Sequence, residues 1–259
     1  MNALNERLKA INLQQQFSGT EKIPRQSLKE FYQQFNPQLK ETTFRWMLYE
    51  LKTKGLIKAV DRGVFALSAG PALPAYIPTL SKNMKTLYKK IASKTPFADS
   101  CLWETSCLNE FLLHQPGKTL TVVEVEIEAA EAVFHTLKES YRNVFLFPSQ
   151  QDFEYYIYSS SGSIVIKKLV SQSPLLSLDG IRTPKLEKLL VDLVADSDFF
   201  YPYQGNERTT LFRNAFMQYQ VSLKTLYRYA QRRKCRQELE YYLQQNQILP
   251  ASTRERSLL

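Results

Sequence analysis

Between Leu4 and Leu67 the chain strings together three short helical patterns, a proline stop and a glycine-centred hairpin, an order that few folds accommodate. Leu4, Leu8, Ile11 and Leu13 recur at helical spacing and predict a first helix ending near Ser18-Gly19. A second is expected from Ser27, where Glu30 three residues on would complete a capping box, with Leu28, Phe31, Tyr32 and Phe35 apolar. Asn36-Pro37 stops it, because the residue before a proline is pushed out of the helical region. A third helix is expected from near Thr42 to Gly55, a residue suited to a C-terminal cap. Leu56, Ile57, Ala59 and Val60, then Val64, Phe65 and Leu67, predict two short strands around Asp61-Arg62-Gly63. Gly63 supplies the positive φ that so tight a hairpin needs. This is the pattern of a winged helix-turn-helix, expected over residues 1–70.

The third helix divides into two faces on a 3.6-residue wheel. Phe44, Met47, Leu48 and Leu51 share one arc, and Thr42, Arg45, Trp46, Tyr49, Lys52 and Thr53 share the other. A surface helix seldom spends both Trp and Tyr on its wet side. A recognition helix can, since aromatics cover thymine methyls and sugars while Arg reads guanine. Thr42, Thr43, Arg45, Trp46, Tyr49 and Lys52, with Arg62 at the hairpin tip, are therefore the expected contacts to double-stranded operator DNA. Two alternatives stand beside this: Trp46 packs under the hairpin or against a neighbouring domain, and Arg62 is a solvated turn residue.

Charge is distributed in blocks. The net charge is +9, which favours a polyanionic partner. From Glu21 to Gly63 nine basic residues face five acidic ones; from Asp99 to Glu154 ten carboxylates face three basic residues; Lys224 to Arg236 carries six basic residues and no acid. A basic head, acidic middle and basic tail suit a nucleic-acid binder with a separate module. Lys82, Lys85 and Lys89 align opposite an apolar stripe of Leu80, Met84, Leu87 and Ile91. Arg228, Arg232 and Arg236 recur every four residues on a helix expected from Ser222 to Arg236. Both rows are read as secondary basic surfaces or as solvated faces, the second row also as a partner for the acidic middle.

The proline-rich stretch from Ala69 to Pro78 marks a boundary, giving a linker and basic helix over 71–98 and an α+β module over 99–250 with a helical C-terminal part. Within it, helical patterns at Leu108–His114 and Ala129–Leu137 alternate with strand patterns at Leu120–Ile127, Val144–Phe147 and Ile164–Leu169. Pro184 is expected to open a helix with Thr183 as its cap. Helices then run to about Gln245, with a loose tail from Leu249 to Leu259.

Little in the chain argues for catalysis, and no enzyme, cofactor or metal site is expected. Glu124 and Glu126, two apart on a predicted strand, would share a face and could hold a magnesium ion as nuclease cores do. The lysine such cores carry just beyond the acids is missing, so acids on an exposed or partner-facing sheet are the expected reading and a metal-dependent nuclease the alternative. His114 and His135 are the only histidines, too few for a metal cluster. Cys101, Cys107 and Cys235 make neither a disulfide framework nor a zinc signature and suit a reducing compartment. With a polar N-terminus and no run of membrane-spanning length, a cytoplasmic protein is expected.

The strings Phe44-Arg45-Trp46, Lys54-Gly55-Leu56-Ile57 and Arg62-Gly63-Val64-Phe65-Ala66-Leu67 resemble the N-terminal domain of AbiEi-type antitoxins. Trp103-Glu104-Thr105-Ser106, Leu108-Asn109-Glu110-Phe111, His114-Gln115-Pro116, Glu124-Val125-Glu126, Leu186-Glu187-Lys188-Leu189-Leu190-Val191-Asp192, Arg228-Tyr229-Ala230 and Arg232-Arg233 resemble the matching C-terminal domain. The resemblance implies a type IV toxin-antitoxin, or abortive-infection, system of phage defence. In it the antitoxin represses its own operon through the winged helix and counters a nucleotidyltransferase-like toxin through its C-terminal module. It supplies no catalytic residues. A protein-interaction adaptor, its winged helix binding protein, is a further alternative. Repressors often read paired half-sites as dimers, though no heptad repeat argues for a coiled coil here.

Overall fold

The computed structural model describes residues 13, 16–17, 20–68 and 73–248. Most of the helix predicted from Leu4, and all of the tail from Leu249, lie outside the described residues. The chain is a mixed α+β protein in two compact units, one reaching Pro74, the other spanning Ala75–Ile248. Among the described residues no helix is long and apolar enough to cross a membrane.

The first unit is a three-stranded antiparallel sheet with helices packed on it. Strand β1 (Ile23–Pro24) leads into α1 (Arg25–Gln33). Helix α2 (Glu41–Thr53) precedes the hairpin of β2 (Ile57–Asp61) and β3 (Val64–Leu67), and the strand order is β1-β3-β2. The start of α1 differs from the expected Ser27 cap. The helix begins straight after Pro24, because Ile23 pairs with Phe65 and the Arg25 N–H donates to the Gly63 carbonyl at 2.8 Å. Strand pairing fixes the entry, leaving Ser27 inside the first turn and Glu30 accepting from Gln26 Nε2 at 3.0 Å. At the end of α2, Gly55 takes φ +62, and the Leu56 N–H reaches back to the Leu51 carbonyl at 2.9 Å, a glycine-terminated cap. Leu13, Leu28, Phe44, Leu51, Ile57 and Phe65 meet in one core.

In the second unit, α3 (Lys82–Lys94) is followed by β4 (Ser100–Glu104), a 3-10 helix (Thr105–Phe111), β5 (Thr121–Val125) and α4 (Ile127–Lys138). Next come β6 (Val144–Leu146), a short helical segment ending in a π turn at Phe153–Ile157, and β7 (Ile164–Lys168). The four strands form one sheet, ordered β4-β5-β7-β6; β4 runs antiparallel to β5, and β7 is parallel to both β5 and β6. Leu87 and Ile91 of α3 and Val133 of α4 cover one sheet face through Val123, Val125 and Ile166. Thus α3, expected in a linker segment, contributes its apolar stripe to this core.

A separate hairpin of β8 (Leu175–Leu178) and β9 (Ile181–Pro184) turns at Asp179-Gly180, both at positive φ. Thr183 and Pro184 are therefore strand residues, paired with Leu176 and Leu175, and do not cap a helix. Helix α5 (Leu186–Ala195) starts after Lys185 and is buried from Leu186 to Val194. Helices α6 (Asn206–Gln218), α7 (Leu223–Arg232) and α8 (Arg236–Gln245) complete the unit. The basic helix expected from Ser222 to Arg236 is two helices, broken where Lys234 takes φ +59.

Candidate nucleic-acid interface

Helix α2 divides its faces as its periodicity predicts. Phe44 and Leu51 are fully buried and Met47 and Leu48 nearly so, while Thr42, Thr43, Arg45, Lys52 and Thr53 are exposed. Trp46 is 43% exposed and Tyr49 62%, so Trp46 is not entombed beneath the hairpin. The Arg45 side chain is 75% exposed, and its Nε lies 3.6 Å from Glu41 in the preceding turn. Glu41 also meets Arg25, and Lys29 at 3.1 Å. Hydrogen bonds from those two cations hold its carboxyl below the usual glutamate range. One carboxylate thus organises three cations at the start of α2, and Arg25 also lies over the Phe44 ring, 4.9 Å from its centroid.

Arg62 sits exposed in the β2–β3 turn beside Gly63, which has φ +71. Its backbone N–H donates to Asp61 Oδ1 at 2.6 Å. The tip therefore carries a carboxylate beside its arginine. Chemically, one helix offers two exposed aromatics, a largely exposed guanidinium held loosely by Glu41, and an exposed lysine in its last turn. This set can stack, donate bidentately and neutralise phosphate.

The secondary basic rows are partly spent on neighbours. Lys82 and Lys89 are exposed, whereas Lys85 pairs with Asp179 in the β8–β9 turn at 2.8 Å. Arg232 donates to Ser171 Oγ at 2.9 Å, and Arg236 pairs with Glu240 at 2.8 Å. Arg228 is exposed. Arg236 belongs to α8, so the row does not run along one helix.

The Glu124–Glu126 pair is not an exposed acidic face. β5 ends at Val125, leaving Glu126 exposed at the N-terminus of α4, while Glu124 is buried on the sheet face opposite Val123. Trp103 Nε1 donates to Glu124 Oε1 at 2.9 Å, and Lys188 Nζ at 2.7 Å. Lys188 also reaches Asp192 at 2.6 Å, one turn along α5, and Asp192 takes Arg233 at 3.0 Å and the Tyr229 hydroxyl at 3.1 Å. Two carboxylates and two cations close on each other inside the unit, so Glu124 has no lone acidic role to offer a metal. Among the described residues no group of three or more metal-ligating side chains occurs. Burial favours neutral Lys188, but Asp192 and Glu124 outweigh it and hold the ammonium charged well above the usual lysine range. His114 pairs with Glu207 at 3.0 Å.

Sequence reasoning passed over the Lys188, Asp192 and Arg233 cluster. The available signal was Lys188 and Asp192 four apart in an otherwise apolar helix, a spacing that places both charges on one face.

A family model described as a family of unknown function (DUF6577) matches residues 43–249, from the first turn of α2 to just beyond the second unit. No curated protein matches the chain.

Proposed function

The chain belongs to the DUF6577 family, and we propose that this member is a DNA-binding transcriptional regulator whose first unit works as a winged helix-turn-helix. One observation carries the reading: α2 buries Phe44 and Leu51 yet leaves Arg45, Trp46 and Tyr49 in solvent together. Exposing an indole and a phenol on one helix forfeits apolar burial worth ~1.5–3 kcal/mol for a large side chain. A duplex lying against α2 restores that burial, with Arg45 directed at a guanine edge and Arg62 at the flanking backbone. The excess of basic over acidic residues from Glu21 to Gly63 supports the same partner.

Fluorescence anisotropy with DNA from upstream of the protein's own gene, against random DNA of equal length, tests this. The upstream duplex is expected to bind more tightly. Arg45→Ala should cost ~1–3 kcal/mol on that duplex alone. Equal affinity for both duplexes overturns specific repression. Binding that is insensitive to salt and carried by a protein partner would mark the unit as an adaptor.

The resemblance to AbiEi-type antitoxins supports a second element of the proposal, in which the Ala75–Ile248 unit counters a nucleotidyltransferase-like toxin in a phage-defence operon. Co-expression with the product of the adjacent gene is expected to relieve that product's growth arrest. Unrelieved arrest removes the antitoxin role and leaves the regulator.

A further inference from the structure

Within the second unit lies a cavity of about 140 Å³, walled by Tyr76, Met84 and Trp103 and bordered by Glu104, Glu110 and Thr183. A space near that size holds a molecule of about six non-hydrogen atoms, such as benzene. Its chemistry is one-sided. Two carboxylates line it, and no lysine, arginine or histidine does. Each carboxylate accepts from a neutral hydroxyl only: Glu104 from Ser81 Oγ at 2.9 Å and Glu110 from Tyr219 at 2.6 Å. Among the described residues neither is in an ion pair. This contrasts with Glu124, on the neighbouring strand, whose charge is matched by Lys188.

A second, independent feature marks the same space. Thr183 is fully buried at its wall, and its hydroxyl has no hydrogen-bond partner. Leaving a buried hydroxyl unpaired costs ~1–3 kcal/mol, and such groups are rare in native interiors. Thr183 comes from β9, Glu104 from the end of β4, and Glu110 from the 3-10 helix, so three elements bring two carboxylates without a countercharge and an unpaired hydroxyl to the lining of one space.

We propose that this cavity is a binding site for a small primary amine in its ammonium form, carried on a short apolar body. The ammonium offers three N–H donors, one for each carboxylate and one for the Thr183 hydroxyl. The apolar body fills the space between Tyr76, Met84 and the Trp103 edge, where it leaves water at no cost to any polar group. The strings Trp103-Glu104-Thr105-Ser106 and Leu108-Asn109-Glu110-Phe111 furnish much of the wall, a use that DNA binding by the first unit does not require. The inference is independent of the DNA-binding reading.

Methyl-labelled methionine in the full chain gives the readout, because Met84 lines the cavity while Met47 lies in the first unit as an internal reference. The probe is n-butylammonium chloride, with n-butanol and sodium butyrate as neutral and anionic counterparts of the same body. A saturable shift of the Met84 methyl with butylammonium, and not with the other two, is expected. Thr183→Val, which removes one hydrogen bond to the ammonium, and Glu110→Gln, which keeps an acceptor but removes a countercharge, should each weaken that response by roughly tenfold. Glu110 is exposed, so Glu110→Gln decides the matter should Thr183→Val disturb the fold. A silent Met84 signal, or one that answers butanol as strongly as butylammonium, overturns the proposal and leaves a cavity indifferent to charge.

Discussion

Lys188 is the residue on which the interior of the second unit depends most. Its ammonium, fully buried, joins Glu124 on the sheet to Asp192 on α5, and Arg233 supplies the second positive charge. Attraction between buried charges repays desolvation only when every partner is present. Lys188→Met keeps the volume but leaves Glu124 without a countercharge and Asp192 with Arg233 as its one cation, so it should cost ~3–5 kcal/mol in urea unfolding. The effect on acid stability follows from Asp192. Burial would raise its carboxyl, but Lys188 and Arg233 outweigh that and hold it below the ordinary aspartate value. A carboxyl lower in the folded than in the unfolded state contributes stability that is present above the unfolded value and lost as pH falls through the folded one. Asp192→Asn should therefore flatten the fall of the urea midpoint below about pH 4, while lowering the midpoint at neutral pH. An unchanged acid slope would assign that fall to other carboxylates.

The β2–β3 hairpin is the element whose geometry rests on one residue. Gly63 takes φ +71, and nothing lies within 4 Å of where its Cβ would stand. The obstacle to a side chain is thus the backbone alone. Gly63→Ala should cost ~1–2 kcal/mol, the penalty for an L-residue in the left-handed region, read as a lower melting temperature. It should also weaken DNA binding alike on all sequences, because it displaces Arg62 without touching α2; a loss confined to the upstream duplex would contradict that division of labour. The hairpin and α2 were legible in the sequence because each is fixed locally, one by Gly63 and the other by an apolar arc at helical spacing. The start of α1 was not, since pairing of Ile23 with Phe65 and the Arg25 bond to Gly63 override the Ser27–Glu30 capping pattern. The helix expected to open at Pro184 forms but starts at Leu186, for a similar reason: Thr183 and Pro184 are held in the β8–β9 pairing, although Asp179-Gly180 was a readable hairpin signal. The α2 surface residues could be named from periodicity. The Lys188–Asp192 pair left a four-residue signal in α5, but its partners Glu124 and Arg233, and the walls of the amine cavity, come from separate segments that meet only in the fold.

At the scale of the whole molecule, a net charge of +9 would draw any polyanion weakly to the chain. A salt titration separates that general attraction from a defined DNA surface, because removing a lysine that touches phosphate lowers the slope of log K against log salt by about one. Lys52 is exposed in the last turn of α2, in the first unit; Lys224 and Arg228 are exposed on α7, in the second. The two surfaces carry the same sign but, in the proposed reading, only the first touches the duplex. Lys52→Ala should reduce the slope by about one, with an equal fall in affinity on upstream and random DNA. Lys224→Ala combined with Arg228→Ala removes twice the charge and should leave the slope unchanged. If the α7 pair lowers it instead, the second unit's basic end is a DNA surface in its own right. If all three substitutions lower it in proportion to charge removed, binding is general attraction, and the exposed aromatics of α2 then await a partner other than DNA.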